Sequence, residues 1–237
     1  MSTQQPTTVD TLRFVRTAAL CCIVGAVIAT IGTVVTALLP SSVPLTAASA
    51  PYTPTLYRLT QVIWAISCAL ILVGIVGLAR SQAAGSSGLG RIGLWLAILG
   101  QGALVLGNLG FALFATATVT DAPYVFLATW MGIASLVTAI GFVLAGSAVL
   151  RARRWQGWQR WLPLFIGLYV FVVFLPILTL APDFFNWPLA VWSASFGLLG
   201  VALYQRAAAS ANGIAADNSL DRRMTVKVEG TRSTSGL

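Results

Sequence analysis

The sequence predicts an all-α membrane protein, a polytopic helical bundle of six transmembrane helices, and three observations carry that prediction. Hydrophobic residues make up 57% of the 237 residues and charged residues only 8%. Soluble domains carry about a quarter charged residues, so this chain cannot assemble a water-soluble surface. The apolar residues fall into runs of roughly the twenty residues needed to cross about 30 Å of hydrocarbon. With both termini inside, thirteen of the fourteen Lys and Arg residues, all but Arg58, fall in the segments on the inner side of those runs. That is the positive-inside pattern of a chain with both termini in the cytoplasm.

Residues 1–12 are polar and read as a disordered cytoplasmic tail, and the six-helix domain covers residues 13–206. The first span runs from about 18 to 39, behind Arg13 and Arg16. Ala48-Ser49-Ala50 resembles a signal-peptide cleavage site, but the apolar run is too long and the site lies too far beyond it. Pro40, Pro44, Pro51 and Pro54 break any helix between the first and second spans, which makes that connector an irregular external loop. The second span, 59–79, ends at Arg80, and a Gly/Ser-rich turn leads through Arg91 into the third, 92–119. A short external turn, Thr120 to Pro123, precedes the fourth span, 124–150. The fifth, 162–181, carries Phe165, Tyr169, Phe171 and Phe174, and Pro176 should kink it by removing a backbone donor. The sixth, 188–205, is followed by a polar stretch, 207–237, that reads as a disordered cytoplasmic tail. Asp221 to Glu229 alternates enough to add a strand to a partner, although a solvated tail is the simpler reading.

Between the fourth and fifth spans, Arg151, Arg153, Arg154 and Arg160 alternate with Trp155, Trp158 and Trp161. Arginine is costly in hydrocarbon and tryptophan settles at headgroup depth, so this connector marks the cytoplasmic surface and should contact anionic lipid headgroups.

The even spans end alike, in Leu-x-Gly followed by Arg, and the odd spans begin alike, which suggests three tandem helical hairpins. Any helix ending on the cytoplasmic side tends to finish that way, and that plainer reading is favoured. In lipid, helices associate through small residues that let backbones approach. Gly93, Gly100 and Gly107 recur every seven residues and form one stripe on the third span, which makes that helix the expected centre of the bundle. Gly25 and Gly32 on the first span and Gly132 on the fourth should pack against it, with the bulky fifth span at the periphery.

Gln101 and Asn108 flank the glycine stripe, with Gln101 about 15 Å deep, near the midplane. An amide there must find partners, and the candidates are Ser135, Thr138, Tyr169 and, for Asn108, Gln61. Interhelical hydrogen bonding, at about 1 kcal/mol per contact, is the favoured role. The other role is a cavity for a small neutral or amphipathic ligand. The two differ in a visible way: glue requires both amides paired, a cavity requires a void beside Gln101.

No span holds Asp, Glu, His, Lys or Arg away from its ends, which disfavours proton-coupled transport. Histidine is absent and Cys21, Cys22 and Cys68 lie in apolar runs, so no metal site or cofactor is expected. No nucleophile has a base beside it in sequence, so an enzyme is not expected. The net charge of +8 reflects anchoring rather than nucleic-acid binding, because no soluble basic face exists.

Gly88-Leu89-Gly90-Arg91-Ile92-Gly93 and Ala145-Gly146-Ser147-Ala148-Val149-Leu150-Arg151 resemble the helix ends of small bacterial integral membrane proteins known only as a domain of unknown function. The resemblance covers the six spans and brings no catalytic or binding residues. It implies a helical bundle of this size in a bacterial cytoplasmic membrane. The expected function is a non-enzymatic scaffold, subunit or accessory partner, acting through small-residue helix faces toward a second copy or another membrane protein. The alternative is a carrier or receptor for a small apolar or amphipathic ligand.

Overall fold

The structure, a computed structural model, describes residues 9–44, 46–85, 87–155, 157–181 and 184–234, with side chains from Asp10 to Asn212. It is an all-α bundle. Among the described residues, six helical segments are long and apolar enough to cross a membrane. They comprise α1 (Val9–Leu38), α2 (Pro54–Arg80), α3 (Gly88–Leu113), α4 (Ala122–Ala152), a composite fifth segment and α7 (Asn186–Thr234). The fifth segment consists of a 3₁₀ turn (Gly157–Trp161), α5 (Leu162–Tyr169), a π turn (Val170–Phe174) and α6 (Leu175–Leu180).

Local chemistry accounts for the element ends. Pro54 opens α2 and Pro123 lies in the first turn of α4, where a missing N–H leaves nothing unsatisfied. The Ser87 hydroxyl accepts from Gly90 N–H at 3.2 Å and caps α3. Pro176 has no N–H to give to the turn before it, and that turn widens into the π form over Val170–Phe174.

Three boundaries differ from the sequence reading. α1 starts at Val9, inside the expected tail. α3 stops at Leu113 rather than 119, because the following residues bond sideways to the long loop. Ala48 N–H donates to Ala117 O at 3.0 Å and Val119 N–H to Thr46 O at 3.0 Å, around an antiparallel bridge between Ala47 and Thr118. The backbone of α7 remains helical beyond Arg206 to Thr234, through an alanine-rich stretch of high helix propensity where the sequence reading places a disordered tail.

The helices form a ring. α1 packs on α2, α2 on α3, α3 on α4, α4 on α5, and α7 closes the circle against α1 and, more lightly, α5. The expectation that α3 is the centre is therefore corrected. Gly93, Gly100 and Gly107 all face α4: a Cβ on Gly100 would lie 2.6 Å from Thr138 N, and one on Gly93 2.7 Å from Gly141 O. Gly25 faces α2 instead of α3, with a Cβ 2.7 Å from Ser67 O, and Ser67 donates to Gly25 O at 2.6 Å. Gly32 meets the Trp64 ring at ordinary contact distance, and a Cβ on Gly132 would meet nothing within 4 Å. Similar close approaches join α4 to α5 at Gly146 and Gly167, and α7 to α1 at Gly200.

One end of the ring is rich in arginine and tightly tied. Arg206 donates to Arg154 O and lies over the Trp155 ring, Arg154 donates to Gln82 O at 3.3 Å, and Gln159 donates to Gln205 at 2.8 Å. Arg16 bonds the Tyr204 hydroxyl at 3.3 Å, and Arg80 lies over Phe14. Trp155 is consequently only 3% exposed and belongs to the core, unlike Trp158 and Trp161, which are exposed with Arg151, Arg153, Arg154 and Arg160. The other end carries the long loop of residues 39–53 and the segment 114–121.

Two predictions follow from these contacts. Gly100→Leu places side-chain atoms where α4 backbone already sits and should destabilise the bundle by about 1–3 kcal/mol or more. Gly102→Leu, on the same helix but with open space around its Cβ, should change stability by less than about 0.5 kcal/mol; thermal unfolding in detergent compares the two. At the loop end, the Asp121 carboxylate accepts from Thr118 N–H at 2.8 Å, and the Thr118 backbone and side-chain bonds hold its carboxyl below the usual carboxylate range. A pKa lowered by folding contributes stability above the unfolded value of about 3.9, and that contribution fades as pH falls through the folded value. An NMR titration should place the Asp121 midpoint below 3.9 by a margin that Thr118→Pro, which lacks the donor, removes.

Candidate functional site

A cavity of about 660 Å³ occupies the middle of the ring and its loop-end half, and all six spanning segments line it. That is within the roughly 300–1,000 Å³ of small-molecule sites. Its floor is dry core: Ile75, Phe142, Ile166, Leu199 and Leu203 are essentially fully buried across the arginine-rich half. Its roof is aromatic. Tyr52 from the long loop, Tyr57 from the start of α2, and Phe111 from the end of α3 cluster around buried Ala115, and Thr36 bonds the Tyr52 hydroxyl at 2.6 Å. A smaller recess of about 280 Å³ lies between α1 and α2 and shares Tyr52, Thr60 and Trp64 with the cavity wall.

Gln101 reaches the cavity because of the glycine seam beside it. Successive residues on a helix turn by about 100°, so with Gly93, Gly100 and Gly107 against α4, the face of Gln101, Leu104 and Asn108 looks toward α2 and the void. Gln101 is 2% exposed. Its Nε2 donates to Cys68 O at 3.2 Å, whereas its Oε1 has no hydrogen-bond partner. Asn108 Nδ2 donates to Leu104 O at 2.8 Å on its own helix and contacts Cys68 Sγ at 3.7 Å. An unpaired buried amide oxygen costs about 1–3 kcal/mol, so the protein carries a destabilising group at the cavity wall.

Gln61 lines the same cavity one turn beyond Tyr57, together with Ser135, Asn186 and Ser193. Thr138 and Tyr169 stand apart from it. Thr138 is buried in the α3–α4 seam and donates to Ala134 O at 2.9 Å; Tyr169 donates to Pro188 O at 3.2 Å, joining α5 to α7. Neither partners an amide of α3. Gly132 and Ala128 line the cavity from α4, whereas Gly25, Gly93, Gly100 and Gly107 are helix-packing positions within the chain.

The wall residues not singled out from sequence are mainly Trp64, Met131, Phe174, Trp192 and Ser193. Ser193 had a usable signal, as a polar residue in the sixth span, whereas Asn186 falls in the turn before it. The aromatics had none, because large apolar side chains occur on every face of these helices.

Among the described residues no Asp, Glu, Lys or Arg lines the cavity, and no group of three metal-ligating side chains occurs. What the arrangement offers is a desolvated apolar volume with a few amide and hydroxyl groups. No protein-family model, no curated protein and no solved structure matches the chain.

Proposed function

We propose that this multi-pass membrane protein is a receptor or carrier that holds a small, predominantly apolar molecule in the central cavity. The observation that carries the reading is the void beside a buried, half-satisfied Gln101. Interhelical glue requires both amides to be paired; Gln101 reaches α2 through Nε2 alone, and Asn108 bonds mainly to Leu104 O of its own helix. The scaffold reading has less support, because the glycines on which it relied, apart from Gly132, lie against neighbouring helices of the same chain. We place the protein in a bacterial cytoplasmic membrane with both termini and the arginine-rich end in the cytoplasm, following the distribution of Arg and Lys. Trp158, Trp161 and the arginines around them then meet anionic headgroups at that face.

Native mass spectrometry of protein extracted in mild detergent tests this. The wild type should retain a discrete small-molecule adduct, and Ser135→Trp, which projects a ring from the cavity wall, should lose it while still folding. A wild type that carries no adduct and is not stabilised by added membrane extract overturns the reading. Gln101→Leu supplies a second check. It removes both an unsatisfied oxygen and one hydrogen bond, so the empty protein should be within about 1 kcal/mol of wild type, or more stable, while losing the adduct.

A further inference from the structure

The walls of the cavity differ in how they are sealed. The floor is close-packed and the roof is covered by Tyr52, Tyr57 and Phe111. Between the π turn and the start of α7, the Phe174 ring packs against Phe185 at 5.3 Å and Trp192 at 6.2 Å. The side between α4 and α6 has no such seal. No residue of α6 is buried, and Leu178, which lines the cavity, is 41% exposed. On the facing wall Ala128 and Gly132 line the cavity and are also exposed, and a Cβ on Gly132 would touch nothing within 4 Å. The π turn and Pro176 lie just before α6, so the distortion that separates α6 from the bundle is written into the chain at that point.

The polar chemistry of the site is one-sided. Nε2 of Gln101 is committed to Cys68 O, which fixes the amide and leaves Oε1 as an acceptor without a donor. Among the described lining residues there is no cation to meet an anionic headgroup beside this oxygen and no carboxylate to meet an ammonium. A neutral O–H or N–H satisfies it.

Building on the proposed ligand-binding role, we infer that the ligand is a neutral membrane lipid with a single hydrogen-bond donor on an apolar body, a lipid alcohol in chemical class, and that it enters sideways from the bilayer between α4 and α6. Its donor bonds Gln101 Oε1, and its apolar body passes Leu175, Leu178, Ala128 and Gly132.

The test uses a diazirine-bearing long-chain primary alcohol and its methyl ether, which keeps the chain and lacks the donor. Both are dissolved in phosphatidylethanolamine/phosphatidylglycerol vesicles containing the full-length protein, and labelled residues are located by peptide mass spectrometry. At equilibrium the alcohol should label cavity residues about tenfold more than the ether, since an unpaired buried acceptor is costly. Gln101→Leu should bring that ratio near one by lowering alcohol labelling alone. Equal labelling by the two probes in wild type overturns the donor assignment while leaving ligand binding in place. Absence of cavity labelling by either probe overturns the binding role itself. For the route, Gly132→Trp and, as a second variant, Ala128→Trp should slow labelling from vesicles several-fold. Tyr52→Ala, which opens the roof, should leave the rate unchanged. Acceleration by Tyr52→Ala, or unchanged rates in both tryptophan variants, overturns the lateral route.

Discussion

Close approach of backbones at glycine is the constraint on which the shape of this bundle depends. In a chain whose helices are apolar on every side, burial of apolar surface cannot choose neighbours, because lipid tails are as apolar as leucine. Where a side chain is missing, dispersion contacts and carbonyl dipoles can reach across. Among the tightest approaches are Gly74 and Gly77 against α1, Gly93, Gly100, Gly107 and Gly141 between α3 and α4, and Gly146 on α5. They draw α2 onto α1 and α3 onto α4, the second seam reaching from Gly93 to Gly110 near the loop end. Gly32 makes only ordinary contact with a tryptophan and Gly132 makes none. The ring is therefore drawn tight along pairwise seams, and the cavity lies on the faces turned away from them.

Much of the fold was legible in the sequence for physical reasons. Six spans follow from hydrocarbon thickness and run length, the break between α1 and α2 follows from proline, and the disturbance in the fifth segment follows from Pro176. Neighbour relations were not legible. The stripe at Gly93, Gly100 and Gly107 announces one close partner for α3, and a single stripe makes a seam, not a centre. Which helix supplies the other side depends on the closure of the ring by α7 against α1, a contact between the two chain ends that no local pattern encodes. The end of α3 was overread because Ala115, Ala117 and Val119 are apolar enough to continue a span. Their backbone groups bond to the long loop, and hydropathy carries no information about that pairing.

For the site, the sequence located the polar groups and misassigned their partners. Gln101, Asn108 and Gln61 do line one volume. Thr138 and Tyr169 were chosen as partners by depth alone, and depth does not fix azimuth. Thr138 is turned into the seam by its place opposite Gly100, and Tyr169 is turned toward α7. Trp155 shows the same limit at the surface: its spacing matches Trp158 and Trp161, yet the approach of α7 brings Arg206 over its ring and takes it out of the headgroup layer.

The lack of formal charge in the cavity wall has an electrical consequence. Moving one elementary charge through a membrane potential of 100 mV involves about 2.3 kcal/mol, which lets voltage drive or block many membrane proteins. Here the described residues of the wall carry no charge for the field to act on, and neither would a neutral occupant. On the proposed reading, filling and emptying the cavity would be electrically silent, and the occupant's concentration in the surrounding bilayer, rather than membrane energisation, would set the fraction of protein that is loaded.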